Sequence, residues 1–390
     1  MTFKLPFKLG LLPKIIIAII LGIVCSTFFP PFLNRIFVTI SGVFGNFLSF
    51  AIPLIILGLV APGIAELGNG AGKLLGITAL IAYLSTLISG FFSYFTCRWS
   101  YPMVLTRSES FGNMDELAAK TIQPFMNIDM PPVMSVTTAL ILAFVLGLGL
   151  TAVKGDYFKN MLIEFRDLVT ALISKAIIPF LPLYIFCIFL KIGAEGQVGS
   201  VLQVFIKVIA IIFVMHVLLL LFQFCVAGAI AKKNPIKALI TMLPAYMTAL
   251  GTQSSAATIP VTLAQAKKNG VNEDIAGFVV PLCATVHLAG SILKIVACAY
   301  AIMWMMDMPA GLNLYAGFIF MLGITMVAAP GVPGGAIMAA LGLLASMLGF
   351  DETLQGLMIA LYITMDSFGT ACNVTGDGAI ALIIDKIYKK

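Results

Sequence analysis

Charge is what this chain has least of. Of 390 residues only 10% are Asp, Glu, Lys or Arg, against 61% hydrophobic. A soluble domain carries roughly 25% charge, so a water-facing globule is excluded. Histidine is nearly absent, with two copies. The seven cysteines are odd in number and scattered, mostly inside apolar runs, with no metal-ligand spacing. That argues for buried free thiols and against a disulfide framework or a zinc site. No basic patch accompanies the net charge of +6, so nucleic acid is not an expected partner. No His, Cys and Asp cluster is present, and Ser254 and Ser255 have no histidine at a spacing suited to nucleophilic catalysis. An enzyme is therefore not expected.

What remains is a set of long apolar stretches near 11–30, 36–65, 74–97, 134–153, 169–191, 200–229, 274–305 and 354–384. Each reaches the length of about 20 residues that a membrane helix needs, and none shows the alternation of a membrane barrel strand. The expected class is an all-α integral membrane protein with eight transmembrane helices. The N-terminal Lys4 and Lys8 precede an apolar run without a small-residue cleavage pattern, which reads as a retained first helix. Basic residues sort by loop. Lys14, Lys73, Lys154, Lys159, Arg166, Lys175, Lys232, Lys233, Lys237, Lys267, Lys268, Lys386, Lys389 and Lys390 fall on one side. The other side receives Arg35, Arg98, Arg107, Lys120 and Lys191. This asymmetry predicts an inner or plasma membrane protein with both termini cytoplasmic. The polar insertion 98–132, with Ser108, Glu109, Ser110, Asp115 and Glu116, is expected as an outer loop, and 154–168 as a linker entering an amphipathic helix.

The second half departs from simple spans. Segment 236–266 is broken at Gly251–Pro260, and 313–349 at Ala329–Gly335. Half-length helices joined by a polar or Gly/Pro tip predict re-entrant hairpins. Each is followed by an interrupted span, the first at His287-Leu288-Ala289-Gly290-Ser291 and the second at Gly369 to Asp377. Hairpin and broken helix, repeated in opposite orientation, is the inverted-repeat signature of a secondary transporter with its site at the bilayer midplane. Within the last span lie Asp366 and Asp377. A carboxylate at the bilayer centre costs about 2.5–3.5 kcal/mol on the insertion scale, so both need a cationic partner or a proton. Asp366, Gly369–Thr370, Asn373 and Asp377 recur at i, i+3/4, i+7 and i+11, one face of a helix.

Three motifs carry a resemblance. Thr252-Gln253-Ser254-Ser255-Ala256-Ala257-Thr258 resembles the serine-rich first hairpin tip of the glutamate transporter family, the dicarboxylate/amino acid:cation symporters. Gly331-Val332-Pro333-Gly334-Gly335 is similar to the second tip, and Asn373-Val374-Thr375-Gly376-Asp377 matches the eighth-helix motif residue for residue. The resemblance covers essentially the whole chain. It implies a homotrimer working as an elevator, with scaffold helices in 1–73 and 98–199, and a transport domain formed by the third helix (74–97) and residues 200–390. It implies substrate contacts from Gln253, Ser254, Ser255, Ser291, Val332, Pro333, Gly334, Asp366, Gly369, Thr370 and Asn373. Asp366 would take an α-amino group, and Asn373 and the serine tip a carboxylate. Cation ligands would come from Tyr83, Thr86, Cys283, His287, Asn373 and Asp377. No cofactor is implied beyond a coupling Na+ or H+.

This chain departs from the family pattern where charge matters. The arginine that clamps a distal carboxylate is Gly369. The seventh-helix Asn-Met-Asp-Gly-Thr reads His287-Leu288-Ala289-Gly290-Ser291, and a serine of the third helix is Leu87. Two readings are open for His287: a neutral core histidine, or a proton carrier standing in for a cation. Two are likewise open for Lys294, structural or a fixed charge near the lost ion region. His216 reads as structural and Lys207 as interfacial. The expected function is a cation-coupled symporter of amino acids, neutral ones favoured by Gly369. The alternatives are a C4-dicarboxylate or acidic amino acid symporter and, in a different class, an ion or anion channel.

Overall fold

The computed structural model describes residues 10–68, 73–105, 122–152, 156–196, 198–327, 329 and 333–388. Lys4, Lys8, Arg107, Ser108, Glu109, Ser110, Asp115, Glu116, Lys120, Lys154, Gly331, Val332, Lys389 and Lys390 lie outside them. All regular structure among the described residues is helical. In chain order the helices are α1 (Leu11–Ser26), α2 (Pro31–Gly68), α3 (Lys73–Val104), α4 (Val136–Ala152) and α5 (Tyr157–Leu172). A π-helical turn (Ile173–Ile177) continues α5 into α6 (Ile178–Ala194). Then come α7 (Val198–Ala231), α8 (Pro235–Thr241), α9 (Leu243–Thr252), α10 (Ser255–Lys268), α11 (Glu273–Val286) and α12 (Ala289–Met305). The last four are α13 (Leu312–Val327), α14 (Gly335–Leu348), α15 (Glu352–Thr364) and α16 (Asp366–Tyr388).

Six helical stretches among the described residues are long and apolar enough to cross a membrane: Pro31–Ala65, Lys73–Val104, Tyr157–Ala194, Val201–Ala231, Glu273–Met305 and Asp366–Tyr388. The apolar α1 is shorter at 16 residues, and α4 has 17. The third span runs seven residues beyond the expected 97, because Arg98 and Tyr101 stay inside α3. Arg98 Nη1 donates to the Tyr94 hydroxyl one turn back at 3.3 Å.

Helix ends follow the local chemistry. Asn234 caps α8 by accepting from Lys237 N at 2.9 Å, with Pro235 at the first helical position. Asn272 accepts from Asp274 N and starts α11, and Asp351 accepts from Leu354 N and starts α15. The break in the first hairpin is only Gln253-Ser254, narrower than Gly251–Pro260. Pro260 lies inside α10. The last span also breaks elsewhere than expected. It turns at Met365, and Gly369–Asp377 is continuous helix. The glycines there serve close packing instead, as the site makes plain.

α1 packs along α6, α2 along α4, and α3 along α12, while α16 is surrounded by α7, α9, α10, α11 and α12. The α3–α12 seam is a zipper of hydroxyls to carbonyls. Ser89 Oγ donates to Ala289 O at 2.6 Å, Ser93 Oγ to Leu293 O at 2.8 Å, and the Tyr101 hydroxyl to Ala297 O at 3.2 Å. The acceptors step by four residues along α12, one per turn. The zipper fixes the height of the α11–α12 break against α3.

Candidate functional site

The polar face of α16 packs on the break between α11 and α12, which holds His287 and Leu288. At its lower turn, Asp377 Oδ1 lies 2.9 Å from His287 Nδ1, and both side chains are buried. The other ring nitrogen faces Ser85 Oγ at 3.1 Å and the Gln223 amide nitrogen at 3.4 Å. Gln223 Nε2 also donates to Ser85 Oγ at 3.0 Å, while its Oε1 is buried without a partner among the described residues. This gives Nε2 an amide donor, which suits a neutral ring with its proton on Nδ1. Turning the Gln223 amide over puts Oε1 toward Nε2 and suits an imidazolium. Gly376 permits the approach, since a Cβ there would fall 2.7 Å from both Gln223 Oε1 and His287 Cε1.

One turn up, Asn373 caps α12. Its Oδ1 accepts from Gly290 N at 2.7 Å and Ser291 N at 3.3 Å, and its Nδ2 donates to Ser291 Oγ at 3.0 Å. These are first-turn N–H groups of a buried helix and need an acceptor. His216 supports the same turn from α7, with Nε2 3.1 Å from Gly290 O.

At the start of α16, Asp366 is held on both oxygens. Oδ1 lies 3.1 Å from Lys294 Nζ, and Oδ2 accepts from Gly334 N of the second tip at 2.8 Å. Gly334 sits at φ +74°, where glycine avoids strain. Lys294 is wholly buried. Its ammonium also lies 3.4 Å from Met365 O and 3.6 Å from the centroid of the Tyr362 ring. The stem runs past Gly369, where an added Cβ would stand 2.4 Å from Lys294 Cε and 2.5 Å from Nζ. The position without an arginine is thus the groove through which a lysine from another helix reaches the same neighbourhood.

The first tip closes the site. Gln253 is left-handed at φ +54° and donates through Nε2 to Ser367 Oγ at 2.9 Å. Ser254 caps α10 by accepting from Ala257 N at 3.3 Å, and Ser255 of α10 and Thr370 of α16 are buried. Pro333 immediately precedes Gly334 in the second tip.

The expected cation ligands do not all converge in the same way. Thr86 Oγ1 donates to Ala82 O of its own helix, and the Tyr83 hydroxyl reaches Phe320 O of α13 at 3.5 Å. Cys283 lies in the last turn of α11, its carbonyl accepting from His287 N at 2.9 Å. Among the described residues no three His, Cys, Asp or Glu side chains gather as metal ligands. Lys207 Nζ donates to Val104 O at an exposed position, as an interfacial lysine would. Ser85, Ser89, Gln223 and Tyr362 enter the site without having been expected. The i, i+4, i+8 spacing of Ser85, Ser89 and Ser93 on an otherwise apolar helix was the signal available for the first two.

The model of the sodium:dicarboxylate symporter family matches residues 11–387. The serine/threonine transporter SstT of Acinetobacter baumannii (strain ATCC 17978) is 26% identical over 395 residues, spanning 97% of each chain. SstT of Acinetobacter baylyi is 24% identical over 401 residues, covering 99% of this chain and all of that one. Excitatory amino acid transporter 3 of Oryctolagus cuniculus is 34% identical over 166 residues, which is 41% of this chain and 31% of that protein. With its family model spanning nearly its whole length, this chain belongs to the sodium:dicarboxylate symporter family, membrane carriers of small solutes and not enzymes.

Proposed function

We propose that the chain is a secondary carrier for amino-acid-sized solutes with a single carboxylate, and that His287 carries part of its cation coupling as a proton. The observation behind the substrate reading is the saturation of Lys294. An ammonium has three donors, and Asp366, Met365 O and the Tyr362 face occupy them. Among the described residues at the site no uncommitted cation remains for a second carboxylate, which would enter a buried site unpaired at a cost of several kcal/mol. This disfavours glutamate, aspartate and succinate. The serine and threonine for which two relatives are named fit the single-carboxylate class.

The coupling reading rests on the His287–Asp377 pair and on the Gln223 amide, which can serve either protonation state. Ala289 and Leu87 stand where the family pattern has oxygen ligands, so sodium coupling is weaker in this reading. Eight spans, two opposed re-entrant hairpins, cytoplasmic termini, a trimer and an elevator movement of α3 and α7–α16 complete it. The packing of α3 on α12 and of α7 on α16 supports such a moving unit.

The test is counterflow in liposomes with purified protein, screened over neutral amino acids, their analogues and dicarboxylates under separate sodium and proton gradients. Saturable counterflow restricted to single-carboxylate solutes supports the reading. Exchange confined to dicarboxylates refutes it, and conductance without counterflow marks a channel.

A further inference from the structure

We infer that Lys294 is a tethered occupant of the ammonium seat, and that the preferred substrates are small monocarboxylates lacking an α-ammonium, of the 2-hydroxy or 2-oxo acid class. The inference rests on the single-carboxylate reading and narrows it.

By the family resemblance, Asp366, the carboxylate at the start of α16, stands where an α-amino group would bind. Its Oδ1 is paired with Lys294 at 3.1 Å and its Oδ2 with Gly334 N at 2.8 Å. The pair is not an incidental surface contact, for the Lys294 side chain is 0% and that of Asp366 6% exposed. The lysine cannot retire to water, because its stem is enclosed by Gly369 and the α12–α16 seam. A substrate ammonium would have to displace Nζ and leave a second cation buried beside it. Breaking a buried ion pair by removing one partner weakens binding on the order of 10²- to 10³-fold. A solute with a hydroxyl or carbonyl in place of the ammonium avoids that loss, because the aspartate is already neutralised. The resemblance places its carboxylate at the first turn of α10, where Ser254 Oγ accepts from Ala257 N and the N–H groups of Ser255 and Ala256 have no partner within the helix.

The two departures from the family pattern then explain each other. A glycine at 369 opens the groove, and a lysine at 294 fills it. The result is a site whose specificity is decided by a side chain on α12 and not by one on α16.

The experiment pairs each amino acid with its deaminated analogue. Alanine is matched with lactate, and serine with glycerate, as competitors of counterflow in proteoliposomes. For the wild type, lactate and glycerate should compete at least tenfold better than alanine and serine. Lys294→Met unpairs Asp366 and should invert that order. Lys294→Met combined with Asp366→Asn removes both charges and should restore the wild-type order. A wild type that prefers alanine or serine overturns the inference, as does a Lys294→Met variant with an unchanged order. If only succinate or aspartate exchanges, the single-carboxylate reading itself fails, and this narrower inference falls with it.

Discussion

Gly369→Ala is the smallest change that reaches Lys294. The new Cβ would lie 2.4 Å from Cε, 2.5 Å from Nζ and 3.0 Å from Cδ of that lysine, where ordinary carbon contacts are about 3.5–4.0 Å. The stem must shift by about 1 Å or more, and the 3.1 Å contact of Nζ with Asp366 cannot survive the shift. Losing a buried ion pair costs about 3–5 kcal/mol. Replacing a helical glycine by alanine returns about 1 kcal/mol. The net destabilisation is therefore about 2–4 kcal/mol. For a chain of 390 residues, with an unfolding entropy of about 2.1 cal/mol/K per residue, that lowers an apparent Tm by roughly 2–5 °C. The assay is the fraction of monodisperse protein after heating in detergent. In a Lys294→Ala background the three atoms nearest the new Cβ are gone, so adding Gly369→Ala should be neutral or slightly stabilising. Equal destabilisation in both backgrounds would refute the assignment of the groove to Lys294.

Three further outcomes test the rest of the site. His287→Asn should abolish uptake driven by an imposed pH gradient while sparing substrate-driven counterflow. An unchanged pH profile with strict sodium dependence in both proteins would return His287 to a structural role. Asn373→Ala leaves the Gly290 and Ser291 N–H groups without their acceptor, at about 1–3 kcal/mol, whereas Asn373→Asp keeps an acceptor at the helix start. Thermal stability in detergent should rank wild type, then Asp, then Ala. Gly290→Ala meets Cys372 Cβ and Gly369 O at 2.7 Å, one of them backbone that cannot step aside, while Gly277 has open space within 4 Å. The first should cost about 1–3 kcal/mol and the second should gain up to about 1 kcal/mol, read by the same heating assay.

The helical class was legible in composition, and the polar face of α16 in the spacing of Asp366, Asn373 and Asp377. Helix boundaries were less so, for a physical reason. Gly369 and Gly376 read in sequence as part of an interruption, yet they lie, with Gly378, inside continuous helix. They are small because Lys294, His287 with Gln223, and Met242 press against them. A glycine that loosens a helix and a glycine that admits a neighbour look alike until the neighbour is known. Thr86 was expected in an ion site; its hydroxyl donates back to Ala82 O, as a threonine within a helix commonly does, which leaves its oxygen lone pairs as acceptors. Ser85, one residue earlier, is the one that meets His287.

Lys294 was visible as an anomaly but not as a pair, because the pairing depends on α12 crossing α16 at Gly369. Once that crossing is fixed, Asp366 and Asp377 of α16 present one rule. Each is matched by a basic side chain from the interrupted seventh span, His287 for Asp377 and Lys294 for Asp366. The helix break makes both matches possible. It ends α11 so that His287 turns toward Asp377, and it restarts α12 under Asn373 with Lys294 one turn further on. A buried carboxylate demands a cation, and it does not matter to the electrostatics whether sodium, a substrate ammonium or the chain itself supplies it. It matters to the transport cycle. An ion that dissociates couples a gradient, whereas a tethered lysine cannot leave and a histidine exchanges only its proton. On the proposed reading, Lys294 therefore fixes a charge that would otherwise be cargo, and His287 is the member of the two pairs left to carry a proton.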